Sequence, residues 1–406
     1  MKVVMICEFY NEGLDYQEIL LAKYYRKLGH DVTVITTPTH SVHEYIDGRD
    51  HREDISIVQG DFARIIRVPI KINIAGRFRI FKSIRMIVES EKPDLLYFHD
   101  IIPNMIELRG YLNNNPRCCA IMDYHADYSN SGVNWLSRMF LHRLSRRLIL
   151  ATVRKRLSAI LPVVPAAQGF LRDLYGIPVA RTELFPLGVD FDLAREMRTD
   201  AIRATVRETV GIPHDALVVF TGGKLVPLKR TEDVLQAAAT LADPRIHVIV
   251  VGEARDPAYQ RQLDQASRGG NVHFVGWQDR EGVYRYQAAA DLAIFPASQS
   301  VLWQQSIGMG LPLIVGEGAG PAHMRQDVGY MNLADNIHVL ESQQALSPQI
   351  AHFLQRCLHD RGILARMSTG ADAVTRDLLS YERLASRTLE IAMAHRQAMT
   401  LEIEHD

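Results

Sequence analysis

Lys224 and Lys229 bracket the short stretch Leu225-Val226-Pro227-Leu228, with Arg230 adjoining, just after an apolar run that ends in Thr221-Gly222-Gly223. Two cations in such a loop could neutralise a diphosphate; the alternative is a pair of solvated surface lysines. A second group, Ser298, Gln299 and Ser300, follows the apolar run Leu292 to Phe295 and precedes a helical stretch that ends at Gly310 and Pro312. At a helix start, unpaired backbone N–H groups and the helix dipole favour an anion such as a phosphate, though a plain polar cap needs the same residues. A third group is acid–base in character. His99 and Asp100 follow one apolar run, and Asp123, His125 and Asp127 follow the next. A histidine among carboxylates can move a proton, and Asp123 or Asp127 could polarise an acceptor hydroxyl; a structural histidine is the alternative for His125.

These groups need a scaffold that sets them side by side. Val3 to Cys7, Val32 to Ile35, Ile65 to Val68, Leu95 to Phe98, Ala120 to Met122 and Ile160 to Val164 are short apolar runs with helical patterns between most of them. That rhythm predicts a parallel, doubly wound sheet. Phe185-Pro186-Leu187-Gly188-Val189-Asp190 has the turn chemistry of a domain boundary, after which Leu217 to Thr221, Ile246 to Val251, Val272 to Phe274, Leu292 to Phe295 and Leu313 to Val315 repeat the alternation. The fold class is therefore α/β, with two Rossmann-like domains facing a cleft. The expected division is 1–190, 191–380 and a last helix, 381–406, whose residues 400–406 should fray. Ligands of such sheets bind beyond the carboxyl ends of the strands, where all three groups fall.

Composition narrows the class. The 406 residues carry a net charge of −1, which argues against a dedicated nucleic-acid binder. Lys2 is followed by too short an apolar run for a secretory segment or a membrane span. Cys7, Cys118, Cys119 and Cys357 show neither metal-ligand spacing nor a disulfide framework, which suits a reduced cytoplasm. No G-x-G-x-x-G opens a helix after a strand, so a nicotinamide dehydrogenase is disfavoured.

Taken together, Gly223 to Lys229, Val250-Val251-Gly252-Glu253, Val272-His273-Phe274-Val275-Gly276, Ala289-Ala290-Asp291-Leu292 and Ser306-Ile307-Gly308-Met309-Gly310-Leu311-Pro312 resemble, in order, the donor domain of glycosyltransferase family 4. The turn Phe185 to Asp190 and the stretch Lys92-Pro93-Asp94 to His99-Asp100 resemble that family's first half. The resemblance implies a retaining, metal-independent enzyme of GT-B fold with no cofactor. Its substrates would be a nucleotide diphosphate sugar and a saccharide or lipid-linked saccharide acceptor, in bacterial glycan or glycolipid synthesis. It implies that Lys224 and Lys229 hold the diphosphate and stabilise the leaving group, a developing negative charge that fixed cations offset. It further implies that Val275 and Gly276 meet the base, Gly13 lets backbone approach the phosphates, and His125 lies near the transferred sugar. Glu253 is a ligand candidate or a helix-start carboxylate. The family usually carries two glutamates with seven residues between them; here Gln305 stands at the second, and counting back eight positions gives Ala297, so Ser298, Gln299 or Ser300 would take over the vacant role. A GT-B nucleotide-sugar epimerase and a catalytically inactive sugar-nucleotide-binding protein are the alternatives.

One stretch belongs to none of these groups. From Arg138 through Arg156 the chain carries Arg138, Arg143, Arg146, Arg147, Arg154, Lys155 and Arg156 with no acidic residue, interleaved with Trp135, Met139, Phe140, Leu141, Leu144, Leu148, Ile149, Leu150 and Val153. Lys71, Arg77, Arg79, Lys82 and Arg85 form a smaller basic group beside Phe78, Ile80 and Phe81. Basic helices with an apolar face can lie on an anionic membrane surface, which would make the protein peripheral on its inner face. The alternative is an apolar core beneath a solvated row of arginines.

Overall fold

The computed structural model describes residues 1–39, 55–74, 78–132, 134–297, 300–316, 327–341 and 343–405. The chain divides into two compact units, Met1–Pro186 together with Tyr381–Asp406, and Leu187–Ser380.

The first unit holds β1 (Lys2–Ile6), β2 (Asp31–Thr36), β3 (Ser56–Gln59), β4 (Arg64–Arg67), β5 (Ile70–Ile74), β6 (Phe78–Phe81), β7 (Leu95–His99), β8 (Cys119–Tyr124) and β9 (Leu157–Pro162). Seven of them form one sheet in the order β3-β4-β2-β1-β7-β8-β9, parallel except for the β3–β4 pair. Val3, Val4, Met5 and Ile6 are all buried, as an unbroken apolar run requires when helices cover both faces. The helix Gln17–Lys27 packs through Ile19, Leu20, Leu21, Tyr24 and Tyr25. Each fully buried side chain of this size contributes about 1.5–3 kcal/mol.

The last helix, Tyr381–His405, belongs to this unit: Tyr381, Leu384, Ala385, Leu389 and Ala392 enter the same core, and Tyr25 Oη meets Thr388 Oγ1 at 2.6 Å. The tail expected to fray is helical through His405. The hairpin β5–β6, the antiparallel edge β3 and the start of β9 three residues earlier than expected are features the apolar runs did not indicate.

The second unit holds β10 (Leu217–Gly222), β11 (Ile246–Val251), β12 (Asn271–Phe274), β13 (Leu292–Phe295), β14 (Leu313–Gly316) and β15 (Ile337–Leu340), all parallel, in the order β12-β11-β10-β13-β14-β15. Its core is centred on Trp303, fully buried among Phe220, Phe295, Ile307 and their neighbours. Arg207 is also buried and ties the amino ends of the strands together: Nε donates to Ala289 O at 2.9 Å and Nη2 to Asp291 Oδ2 at 3.0 Å.

Candidate functional site

In the first unit the chemistry gathers at the carboxyl ends of β1, β7 and β8. Asp123, the penultimate residue of β8, is fully buried and accepts three hydrogen bonds: from Tyr97 Oη at 2.9 Å, His99 Nδ1 at 2.8 Å and the Asp100 backbone N–H at 2.9 Å. The Asp100 backbone is left-handed, φ +69°, a conformation that costs a non-glycine residue about 1–2 kcal/mol. Two bonds offset that strain, the one to Asp123 and a second in which Ile101 N–H donates to Asp100 Oδ1 at 2.6 Å. Here a strained turn is what aims a backbone donor at the buried carboxylate.

His125 Nε2 lies 3.3 Å from Asp123 Oδ2, and the His99 and His125 rings are 4.5 Å apart. On the far side His99 Nε2 is 3.5 Å from Glu18 in the helix Gln17–Lys27. Burial works to raise the Asp123 carboxyl, but His99 and His125 outweigh it and hold its pKa well below the usual carboxylate range. Burial works to lower His99, but Asp123 and Glu18 outweigh it and push its pKa up to about 10. Burial raises Glu18, against the pull of His99. The trio His99, Asp123 and His125 offers ligand atoms within 4.8 Å of one another, a spacing a metal ion could use. Asp123 accepts from Tyr97, His99 and Asp100, while His125 Nε2 is buried without a hydrogen-bond partner among the described residues.

Asp127 Oδ1 accepts from Ser129 N–H at 2.7 Å and Asn130 N–H at 3.3 Å, which closes a turn. Asp123 is fully buried and its carboxylate meets the two histidines. Gly13 sits in an exposed turn closed by Asn11 Oδ1 at 3.0 Å. Glu18 and Tyr97 were not singled out by sequence reasoning; Asp100 was named beside His99, and Arg146 only as a member of the basic stretch.

In the second unit the ends of β10, β11 and β12 converge without side chains. Gly223 N–H donates to Val251 O at 2.8 Å and Gly252 N–H to Gly276 O at 2.8 Å. Gly223 and Gly252 have φ of +102° and +124°, and a Cβ on Gly252 would come within 2.0 Å of Gly223 O, so only glycine fits there. Ser300 Oγ lies 3.8 Å from where a Gly223 Cβ would be, and Glu253 Oε1 lies 3.8 Å from the same point on Gly276. Gly223, Gly252, Glu253, Gly276 and Ser300 thus form one cluster, with Val275 leading into it through Val275 N–H to Val250 O at 3.1 Å.

Lys224 is exposed, and Lys229, at the end of the one-turn helix Pro227–Lys229, is half-buried. Burial pushes the Lys229 ammonium down to about 8. The helix expected to start at Ser298 begins later, at Leu302, with Ser300 Oγ accepting from Leu302 N–H at 3.3 Å. Ser298 and Gln299 lie outside the described residues. Gln305 is buried on that helix beside Gln304, whose Nε2 reaches Tyr330 Oη at 3.4 Å. Trp277, directly after Gly276 and highly exposed, was also missed; an exposed aromatic in a strand-end loop was its signal.

Residues 19–193 match the family model described as Glycosyltransferase Family 4, and residues 202–322 match the one described as Glycosyl transferases group 1. The chain belongs to glycosyltransferase family 4. Among curated relatives, the D-inositol 3-phosphate glycosyltransferase of Geodermatophilus obscurus is 32% identical over 139 residues, 31% of this chain and 30% of the relative. The enzyme of that name from Mycobacterium tuberculosis is 28% identical over 215 residues, 50% of this chain and 42% of the relative. The chain thus spans less than half the length of the curated relatives it matches. Among solved structures, Anabaena HepE in complex with UDP superposes with a TM-score of 0.66 at 15% identity, covering 97% of this chain and all of the other. A glycosyltransferase from Rickettsia africae gives 0.65 at 15% identity, over 97% and 98% of the two chains. At such identity the likeness shows the fold, which is GT-B.

Proposed function

We propose that this family 4 protein is a retaining glycosyltransferase that moves a sugar from a nucleotide diphosphate sugar to a saccharide hydroxyl, without a required metal. The carrying observation is the side-chain-free cluster at Gly223, Gly252 and Gly276, with Lys224 and Lys229 in the loop that leaves β10. Bare backbone allows close approach of a diphosphate, and two cations offset its charge. During transfer the bond from the anomeric carbon to the phosphate oxygen breaks, and the electron pair stays on the diphosphate. Lys229, depressed toward 8 by burial, regains full protonation against that charge. The acceptor oxygen forms the new bond and passes its proton to the departing diphosphate oxygen, and in this reading His125, held by Asp123, steadies the sugar and its developing charge. Trp277 supplies a face on which a base can stack.

The UDP in the Anabaena neighbour and the transferase names of the curated relatives support a nucleotide-sugar donor. Four free, buried cysteines suit a reduced cytoplasm, and a role in bacterial glycan or glycolipid synthesis is part of the same proposal. A sugar-nucleotide binder without turnover is the second reading, favoured by Ala297 and Gln305 where the family resemblance implies two glutamates.

A thermal-shift panel of UDP, GDP, ADP and their sugars, with and without chelator, tests the proposal. One nucleotide class at a hundred times its dissociation constant is expected to stabilise the protein by about 2.7 kcal/mol, chelator or not. Release of nucleoside diphosphate in the presence of acceptor then separates transferase from binder. No shift with any nucleotide would remove both readings.

A further inference from the structure

The stretch Trp135–Val153 forms a continuous helix, π-helical over Ser137–Arg146 and α-helical from Arg147 to Val153. Its inner face is fixed by polar contacts and a small apolar patch. His142 is fully buried, with Nδ1 at 2.6 Å from Tyr175 Oη and Nε2 at 3.0 Å from Ser131 Oγ, while Ile149, Leu150 and Val153 supply the packing. Arg146 also turns inward, within electrostatic reach of Asp100 and Glu8 at the strand ends that carry the His99–Asp123–His125 cluster.

The outer face is apolar. Trp135 is 67% exposed, Leu136 60%, Phe140 56%, Leu144 53% and Leu148 60%. Trp135 and Phe140 meet edge to face at 6.3 Å, so the aromatic end of the stripe is one contiguous patch. Arg143 and Arg147 are exposed on the same turns, and Arg154 and Lys155 follow at the end. An apolar core beneath a solvated row of arginines would show the opposite arrangement. Large apolar side chains left in water forfeit about 1.5–3 kcal/mol each relative to burial, so a continuous stripe of them calls for a cover. The cations around it, with no acidic residue in the stretch, specify a cover that is negatively charged and apolar just below its surface. In the smaller basic group, by contrast, Arg79 is buried and paired with Glu8, so it adds nothing to such a surface.

We infer that this outer face docks on an anionic phospholipid bilayer, and that the acceptor is presented by a lipid in that bilayer. One helix then serves both purposes: its apolar outer face enters the headgroup boundary while Arg146 on its inner face reaches the strand ends. The second half of the inference rests on the glycosyl-transfer reading; the docking half does not.

Co-sedimentation with phosphatidylcholine vesicles, with and without phosphatidylglycerol, tests it on the full chain. The protein is expected to bind the phosphatidylglycerol vesicles at low salt, to leave them at high salt, and to ignore phosphatidylcholine alone. Each cation near an anionic surface is worth about fivefold in partitioning, so the double variant Arg143→Gln/Arg147→Gln is expected to bind roughly twenty-fold more weakly. Phe140→Ser/Leu144→Ser is expected to lose roughly tenfold or more. Both variants alter exposed side chains, so the melting transition and the nucleotide-induced shift should stay as in the parent. No binding to phosphatidylglycerol vesicles at low salt would overturn the docking. Parental binding by both variants would do so too, as would a dimer that Phe140→Ser/Leu144→Ser abolishes. Vesicle binding is scored without any transfer, so docking and transfer can each fail alone.

Discussion

At the carboxyl ends of the first sheet, charge is wired before any ligand arrives: Asp123 holds Tyr97, His99 and the Asp100 N–H, and His99 is gripped again by Glu18. At the same ends of the second sheet, close-packed glycine backbone with Glu253 and Ser300 beside it takes the place of buried ion pairs, and Lys224 and Lys229 lie in a loop. The first arrangement is costly, since every buried charge needs a partner, and it yields a fixed geometry for charge and proton work. The second costs little to build, because backbone and loop cations replace buried ion pairs. Under the proposed function, the groups of the first sheet would serve the sugar and those of the second the diphosphate.

If wiring is what distinguishes the first site, Asp123→Asn should be the most damaging change, because it leaves His99 and Glu18 without their common balance. A loss of about 3–5 kcal/mol in unfolding free energy is expected. Its pH profile makes the test specific. The folded Asp123 pKa is depressed, so its contribution is present above the unfolded value of about 3.9 and is lost as pH falls. The folded His99 pKa is raised to about 10, so its contribution is full below about 6.5 and is lost as pH rises through 10. The parent should therefore be most stable between those limits, and Asp123→Asn should flatten both flanks in denaturant titrations across pH. A variant with parental stability and parental flanks would remove the wiring from the account.

The second site should respond in turnover rather than in folding. Lys229→Ala removes a partly desolvated cation, which is expected to cost about 2–4 kcal/mol in kcat/KM with little change in melting temperature. Full activity would take the diphosphate away from this loop. A drop in stability as large as that of Asp123→Asn would erase the difference between the two sites.

Much of the scaffold was legible because strands buried on both faces must be unbroken apolar runs, as in Val3 to Ile6 or Ile246 to Val251. Several strands that escape that demand were not, although β12, with none of its residues fully buried, was. β3 is a mostly exposed antiparallel edge, β5 and β6 form a hairpin outside the main sheet, and β15 is short and half-exposed. Within the candidate sites, Lys224, Lys229, Asp123 and His125 were named from sequence because each comes just after an apolar run. Glu18 was not, and Arg146 was named only in the basic stretch, since they come from helices distant in sequence and meet the strand ends only in the folded unit. The turn at Asp127 was not legible either: a carboxylate two residues past a histidine gives no sign in the sequence that it accepts from Ser129 and Asn130 N–H.

The smallest expected effect concerns the helix Leu302–Gly308, where the contrast between wired and bare sites is least clear. Gln305 is buried like the residues of the first site, yet it carries no charge and stands where a glutamate would be expected to meet the donor. If it meets the donor's ribose, Gln305→Leu leaves those hydroxyls without a partner and should weaken nucleotide binding by about 1–3 kcal/mol. Gln305→Glu keeps the shape and adds a charge-assisted acceptor, so affinity should hold or rise. Titration calorimetry of both variants with the nucleotide found in the thermal-shift panel reads the difference directly. Equal affinity of parent, Leu and Glu would mean that the side chain is only part of the core around Trp303. The second site would then rest on backbone and lysines alone.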